Sequence, residues 1–215
     1  MALAVVMEAL LTGCATTPKE TPEQAYQRFK REEFVLYATT GTNASVPLLA
    51  LQVRDVTLDG QVMLIHPSSP WANAIRNAIT NLFTELQDRH VFRQDREDST
   101  GERASLNCRG ALTFIETTHL HGGSLAKGAL VAGLTLGILD NSPVKFDLQS
   151  TLDLQLTRQD GVGHRYAVTN TVTGENRKRD NGAGWSAARV RANALNVTSL
   201  AGKMSDDNPF YAGQR

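Results

Sequence analysis

The residues of this 215-residue chain best suited to chemistry are its five histidines and two cysteines. His119 and His121 form an H-x-H pair, and on a β-strand that spacing turns both imidazoles to one face, as a zinc or copper site requires. Two ligands do not make a site. His66, His90 and His164 lie in separate segments, and Glu116, three residues before His119, is the carboxylate that could join the pair. The pair reads as a strand end with exposed imidazoles and no metal. Gly184-Trp185-Ser186-Ala187-Ala188 has the outline of a G-x-S-x-G nucleophile elbow without its last glycine, and His121-Gly122-Gly123 that of an oxyanion loop. Such a hydrolase carries its histidine after the serine and a buried strand before it. Here no histidine follows His164, and RKRDNGAG precedes Trp185. GALVAGLT, residues 128–135, matches the glycine spacing of a phosphate loop, but Leu134 occupies the place of the essential lysine. Asp206 and Asp207 read as solvated tail residues. No motif carries a reaction, so the expectation is a protein that is not an enzyme and needs no cofactor.

The cysteines separate by context. Cys108 sits in RASLNCRGALTF, where Ala104, Leu106 and Cys108 alternate with polar residues, and reads as a small buried hydrophobe. A catalytic thiolate needs a base and an electropositive setting, which Arg109 alone does not supply. Cys14 follows a short apolar run, and Leu11-Thr12-Gly13-Cys14 resembles the lipobox of bacterial lipoproteins position by position. The resemblance implies that residues 1–13 are a signal peptide, that the Cys14 thiol receives a diacylglycerol, and that cleavage makes Cys14 the first residue of the mature chain. The polar TTPKETPEQ that follows is similar to the tether of such proteins. Ala15, rather than Asp, after the cysteine implies an outer-membrane lipoprotein facing the periplasm. The segment before Cys14 is short, lacks Lys and Arg and carries Glu8, so translation is expected to start upstream of Met1. With Cys14 acylated, Cys108 has no intramolecular partner; without acylation, a Cys14–Cys108 disulfide stays open.

Lys plus Arg and Asp plus Glu balance at 22 each. This argues against nucleic acid, which is bound through clustered cations. The run Arg177-Lys178-Arg179 is flanked by Glu175 and Asp180 and reads as a solvated turn. From Leu125 to Leu139 the chain carries one charge, Lys127, and three glycines. That stretch is shorter than the about 20 residues a spanning helix needs. It reads either as a buried element or as a contact with membrane or a neighbouring subunit through Leu130, Val131, Leu134, Leu136 and Ile138, where Gly133 and Gly137 form a small-xxx-small pair.

The elements that must position these residues follow from periodicity. Residues 14–30 read as lipidated cysteine and tether with a short polar helix, and residues 31–215 as a single domain. FVLYATT and VPLLALQVRDVTL are strands, and Asp59-Gly60 between apolar runs signals a tight hairpin. Ser69 caps a helix with Pro70 in its first turn and a stripe of Trp71, Ile75, Ala78, Ile79, Leu82, Phe83 and Leu86. VKFDLQSTLDLQL alternates throughout, and its 13 residues would run roughly 43 Å before a glycine-rich turn returns the chain as RYAVTNTVT, a long C-terminal hairpin. A last helix presents Trp185, Ala188, Ala192 and Leu195 on one face. The expected fold is α+β: an antiparallel sheet with one or two helices on one face. In element order it is similar to surface-exclusion-type outer-membrane lipoproteins. The function expected is a non-enzymatic structural or assembly subunit, bound to the membrane through its acyl chains and to envelope proteins or itself. The alternative is a periplasmic binding or transport-accessory lipoprotein that captures an apolar ligand between helix and sheet.

Overall fold

The computed structural model describes residues 20–39, 45–92, 107–121, 143–177, 180 and 182–211. Leu11-Thr12-Gly13-Cys14 and the apolar positions Leu130, Val131, Leu134, Leu136 and Ile138 lie outside the described residues. In chain order the elements are α1 (Pro22–Lys30), β1 (Glu33–Thr39), β2 (Ser45–Leu58), β3 (Gln61–Val62), α2 (Pro70–Asp88), β4 (Cys108–Leu120), β5 (Val144–Arg158), β6 (Gly163–Asn176), α3 (Ala183–Asp206) and the short α4 (Asn208–Tyr211).

α1 starts at a capping box. The Thr21 hydroxyl accepts from the Gln24 backbone N–H, and the Gln24 side chain accepts from the Thr21 N–H at 2.9 Å. Its composition is polar, yet Ala25, Tyr26 and Phe29 fall on one face and are buried in the main core. Residues 22–30 therefore belong to the domain, not to the tether expected over 14–30. Three apolar residues suffice because the Tyr26 hydroxyl also accepts from the Val56 N–H at 3.1 Å, fixing the helix to β2.

The sheet runs β1-β2-β4-β5-β6, with β3 paired to β2. The class is α+β, and the sheet is mixed: β2 and β4 are parallel, all other pairs antiparallel. The departure from an all-antiparallel sheet has a topological cause. After the β2–β3 hairpin the chain passes through α2, so β4 enters beside β2 in the same direction, as a helical crossover requires. Residue periodicity is the same in both pairings and cannot report it. At the hairpin tip Asp59 (φ 50°) and Gly60 (φ 80°) both adopt the left-handed region, the pattern of a two-residue type I′ turn.

One sheet face is apolar. Leu112 and Phe114 on β4, Phe146, Leu148, Leu152, Leu154 and Leu156 on β5, and Tyr166, Val168 and Val172 on β6 are all buried on the same parity. Over the main core part of this face α2 packs Ile75, Ala78, Ile79, Leu82 and Leu86, and its Ser69 cap accepts from the Ala72 N–H at 3.1 Å. α3 lies over β5 and β6 beside α2. Its buried face is Ala188, Ala192, Asn196, Leu200 and Met204, an i, i+4 series flanked by Asn193, Val197 and Ala201. Leu195, expected on that face, is 42% exposed, because it lies beyond Ala188 and Ala192 at the flank of the helix. Asn196 donates to the Ser150 carbonyl and hydroxyl at 3.1 and 3.0 Å and accepts from Asn170 at 2.9 Å. This buried polar rung separates the main core from a smaller cluster of Phe146, Leu148, Val172, Ala188 and Ala192.

Candidate functional site

Three polar clusters are assembled by this framework. The first lies on the open sheet face at the end of β4. Strand register sets His119 opposite Asp147 and Asp147 opposite Thr173. His121 Nε2 stands 2.6 Å from Asp147 Oδ2, and the Thr173 hydroxyl donates to Asp147 Oδ1 at 2.7 Å. The hydrogen bond from Thr173, then that from His121, holds the Asp147 carboxyl below the usual carboxylate range. The hydroxyl proton is held by a carboxylate whose proton affinity is lowered, with the imidazole on the carboxylate's other oxygen, so the base at the hydroxyl is too weak to make it an activated nucleophile. Glu116 does not join the pair. Three residues along a strand reverse the face, and Glu116 is buried beneath α3. Among the described residues no three His, Cys, Asp or Glu side chains are grouped as a metal would need.

The second cluster closes the turn between β5 and β6. Tyr211 donates to the Tyr166 hydroxyl at 2.9 Å, and Tyr166 donates to Asp207 Oδ2 at 2.8 Å, which also lies 3.4 Å from His164 Nε2. Arg158 pairs with Asp160 and donates to the Phe210 carbonyl at 2.8 Å. Burial raises both tyrosines well above their ordinary value, so they act as donors and not as bases. Cys108 is 2% exposed and its thiol is pushed up to about 11, again by burial. It is therefore a packed hydrophobe, as its strand spacing suggests. Asp207, which composition places in a solvated tail, is the C-cap of α3 and a central acceptor here. The apolar period of the last helix ends at Met204, three residues before it. Beside it lies a shallow, open depression of about 390 Å³ lined by His164, Tyr166, Lys203 and Asp207 among others.

The third cluster is internal. Arg189 Nε of α3 donates to both oxygens of Glu116 on β4, at 2.8 and 2.9 Å, while its guanidinium carbon lies 3.4 Å from the Trp71 ring centre. Ser186, the serine of the elbow-like motif, is exposed in the first turn of α3, close to the far end of β6 from His164. Serine and imidazole are kept apart by the length of that strand, so no hydrolase dyad forms between them.

What the fold defines is a two-layer α+β domain with helices on one face of a mixed sheet. No family model matches the sequence, and no curated protein matches it. Among solved structures, a minor lipoprotein from Acinetobacter baumannii is similar at 10% identity and a TM-score of 0.41, over 74% of this chain and 94% of that one. A chain from Caulobacter crescentus CB15 described as a lipoprotein is similar at 14% identity and a TM-score of 0.29, over 76% of this chain and 92% of that one. Likenesses at this level do not assign a function. Among the described residues, no helix is long and apolar enough to cross a membrane.

Proposed function

We propose that the chain is a lipid-anchored lipoprotein of the cell envelope, held in the outer membrane with its domain toward the periplasm, and that it works as a structural or assembly subunit without chemistry of its own. The observation that carries the reading is the junction of lipobox and fold. The capping box at Thr21 opens the first core helix only seven residues after Cys14, and seven residues reach at most about 25 Å. Acyl chains on Cys14 would thus hold the domain against the bilayer surface, with α1 nearest to it. The polar clusters support the subunit reading, since each is built as a set of mutually satisfied partners. The space between helices and sheet is filled by Phe29, Leu82, Leu112 and Leu154, each 1% exposed or less, which favours a subunit over a carrier of apolar ligands.

The test is Cys14→Ala with fractionation and labelled palmitate. Buried acyl chains contribute about 0.8 kcal/mol per methylene. The variant is expected to lose the label and move to the soluble fraction. A variant that stays on the membrane after a salt wash would show that Cys14 is not the anchor.

A further inference from the structure

The strand order leaves β6 at one edge of the sheet, and among the described residues it pairs only with β5. Which of its backbone groups face outward follows from the turn. Arg158 N–H donates to the Val162 carbonyl at 2.9 Å, so even-numbered residues exchange bonds between β5 and β6 and odd-numbered residues of β6 point to the edge. Lys203 agrees, donating from α3 to the Ala167 carbonyl at 2.8 Å. At the other end the Gly184 backbone crosses the Glu175 carbonyl so closely that a side chain there could not fit. α3 is therefore laid lengthwise along β6, and between these two fastenings Thr169, Thr171 and Thr173 offer their backbone N–H and C=O groups to the edge.

We propose that this edge, with the α3 flank above it, is a self-complementary interface on which a second copy of the chain pairs β6 to β6 antiparallel, about a twofold axis at Asn170. In this register Thr169 faces Thr171 of the second copy, Ala167 faces Thr173, and Arg165 faces Glu175. Arg165 and Glu175, which in the monomer pair with Asp153 and Arg177, then oppose each other at both ends, so each joins an existing pair across the axis. Moving the axis to Thr171 would set Arg165 against Arg177, which disfavours that register. Above the strands the two α3 helices come side by side, and Leu195, near the middle of the span from Gly184 to Lys203, meets its counterpart at the axis. α3 packs on β5 as well as β6, so it sits inward of the edge. With strands about 4.8 Å apart this leaves room for helix axes at roughly 8–10 Å. Ser199, exposed one turn along the same flank, is small enough to allow that approach. The stripe that periodicity singled out on α3, and that the monomer leaves half open at Leu195, thereby gains a partner. Lys203 guards the edge in the monomer and yields the Ala167 carbonyl to Thr173 N–H of the second copy. The opposite edge does not qualify: β1 has 7 residues against 14, with a register shift between Leu36 and Tyr37.

The test uses the full chain carrying Cys14→Ser, which makes it independent of the anchor. Sedimentation velocity at tens of micromolar is expected to show a dimer. Thr171→Pro removes an N–H that faces only the edge, and Glu175→Arg sets like charges across the axis. Both are expected to sediment as monomers with an unchanged circular dichroism spectrum and a melting temperature that no longer rises with protein concentration. A monomeric parent overturns the proposal, leaving the edge to a strand of another protein, and so does a dimer that survives both substitutions. Should Thr171→Pro fail to fold, Glu175→Arg decides: a dissociation constant raised tenfold or more supports the interface, and an unchanged one overturns it.

Discussion

The Glu116–Arg189 pair should respond asymmetrically to the loss of either partner. The Glu116 side chain is 5% exposed and Arg189 is 14% exposed, with its guanidinium resting on Trp71. Arg189→Leu strands a carboxylate in the interior, a change that costs about 3–5 kcal/mol when a buried charge loses its partner. Glu116→Gln keeps an acceptor, and Arg189 retains both the ring and an edge of solvent, so about 1–2 kcal/mol is expected. The difference should depend on pH. Burial already raises the Glu116 carboxyl above its usual range, against the pull of Arg189. Without Arg189 the folded-state value rises further, and the folded protein then takes up a proton that the unfolded chain does not hold. The deficit of Arg189→Leu is therefore larger at pH 8 than at pH 5, and shrinks as pH falls toward the ordinary carboxylate range. Urea unfolding followed by tryptophan fluorescence at pH 8 and pH 5 measures it, and Glu116→Leu combined with Arg189→Leu should recover most of the loss. Equal deficits at both pH values, or a larger cost for Glu116→Gln, would refute this account of the pair.

Gly174 lies opposite Phe146 on the ribbon, and a Cβ there would stand 2.8 Å from the Phe146 ring edge; Trp185, stacked on Phe146 at 3.5 Å, blocks its retreat. Gly174→Ala should cost about 1–3 kcal/mol by overpacking, read from the urea midpoint, whereas an unchanged midpoint would mean the stack yields freely. Cys108, with its thiol pushed up to about 11, should alkylate at pH 8 roughly a hundredfold more slowly than an ordinary thiol from ionisation alone, and burial slows it further. Mass spectrometry of the folded and urea-unfolded chain follows the label, and equal rates would remove Cys108 from the core.

Residues whose neighbours in sequence are also their neighbours in space were legible. The Asp59-Gly60 turn, the Ser69 cap, the α2 stripe and the β5 alternation all express local rules, and all appear in the structure. Relations across the sheet were not. Asp147 meets His121 from 26 residues away, and Glu116 meets Arg189 from 73, so neither pairing has a spacing that could announce it. The parallel step from β2 to β4 likewise depends on chain routing and not on side-chain period. On α3 the flank residue Leu195 was misread as core because helical periodicity locates a stripe but not its width, and Asn196 takes the central buried position through bonds to Ser150 and Asn170.

The rung of Asn196, Ser150 and Asn170 has a consequence for how the domain breathes. Apolar contacts transmit cooperativity only where they are continuous, and the rung interrupts them between Leu148 and Leu152 on β5 and between Val168 and Val172 on β6. The far end of the ribbon, around Phe146, Val172 and Ala192, is therefore expected to exchange its amide hydrogens more readily than the main core, with Arg189 tying α3 to Glu116 and Trp71 as the restraint. The two amides and the one hydroxyl of the rung, with Asn196 bonded to both partners, mark the line at which that opening is expected to stop.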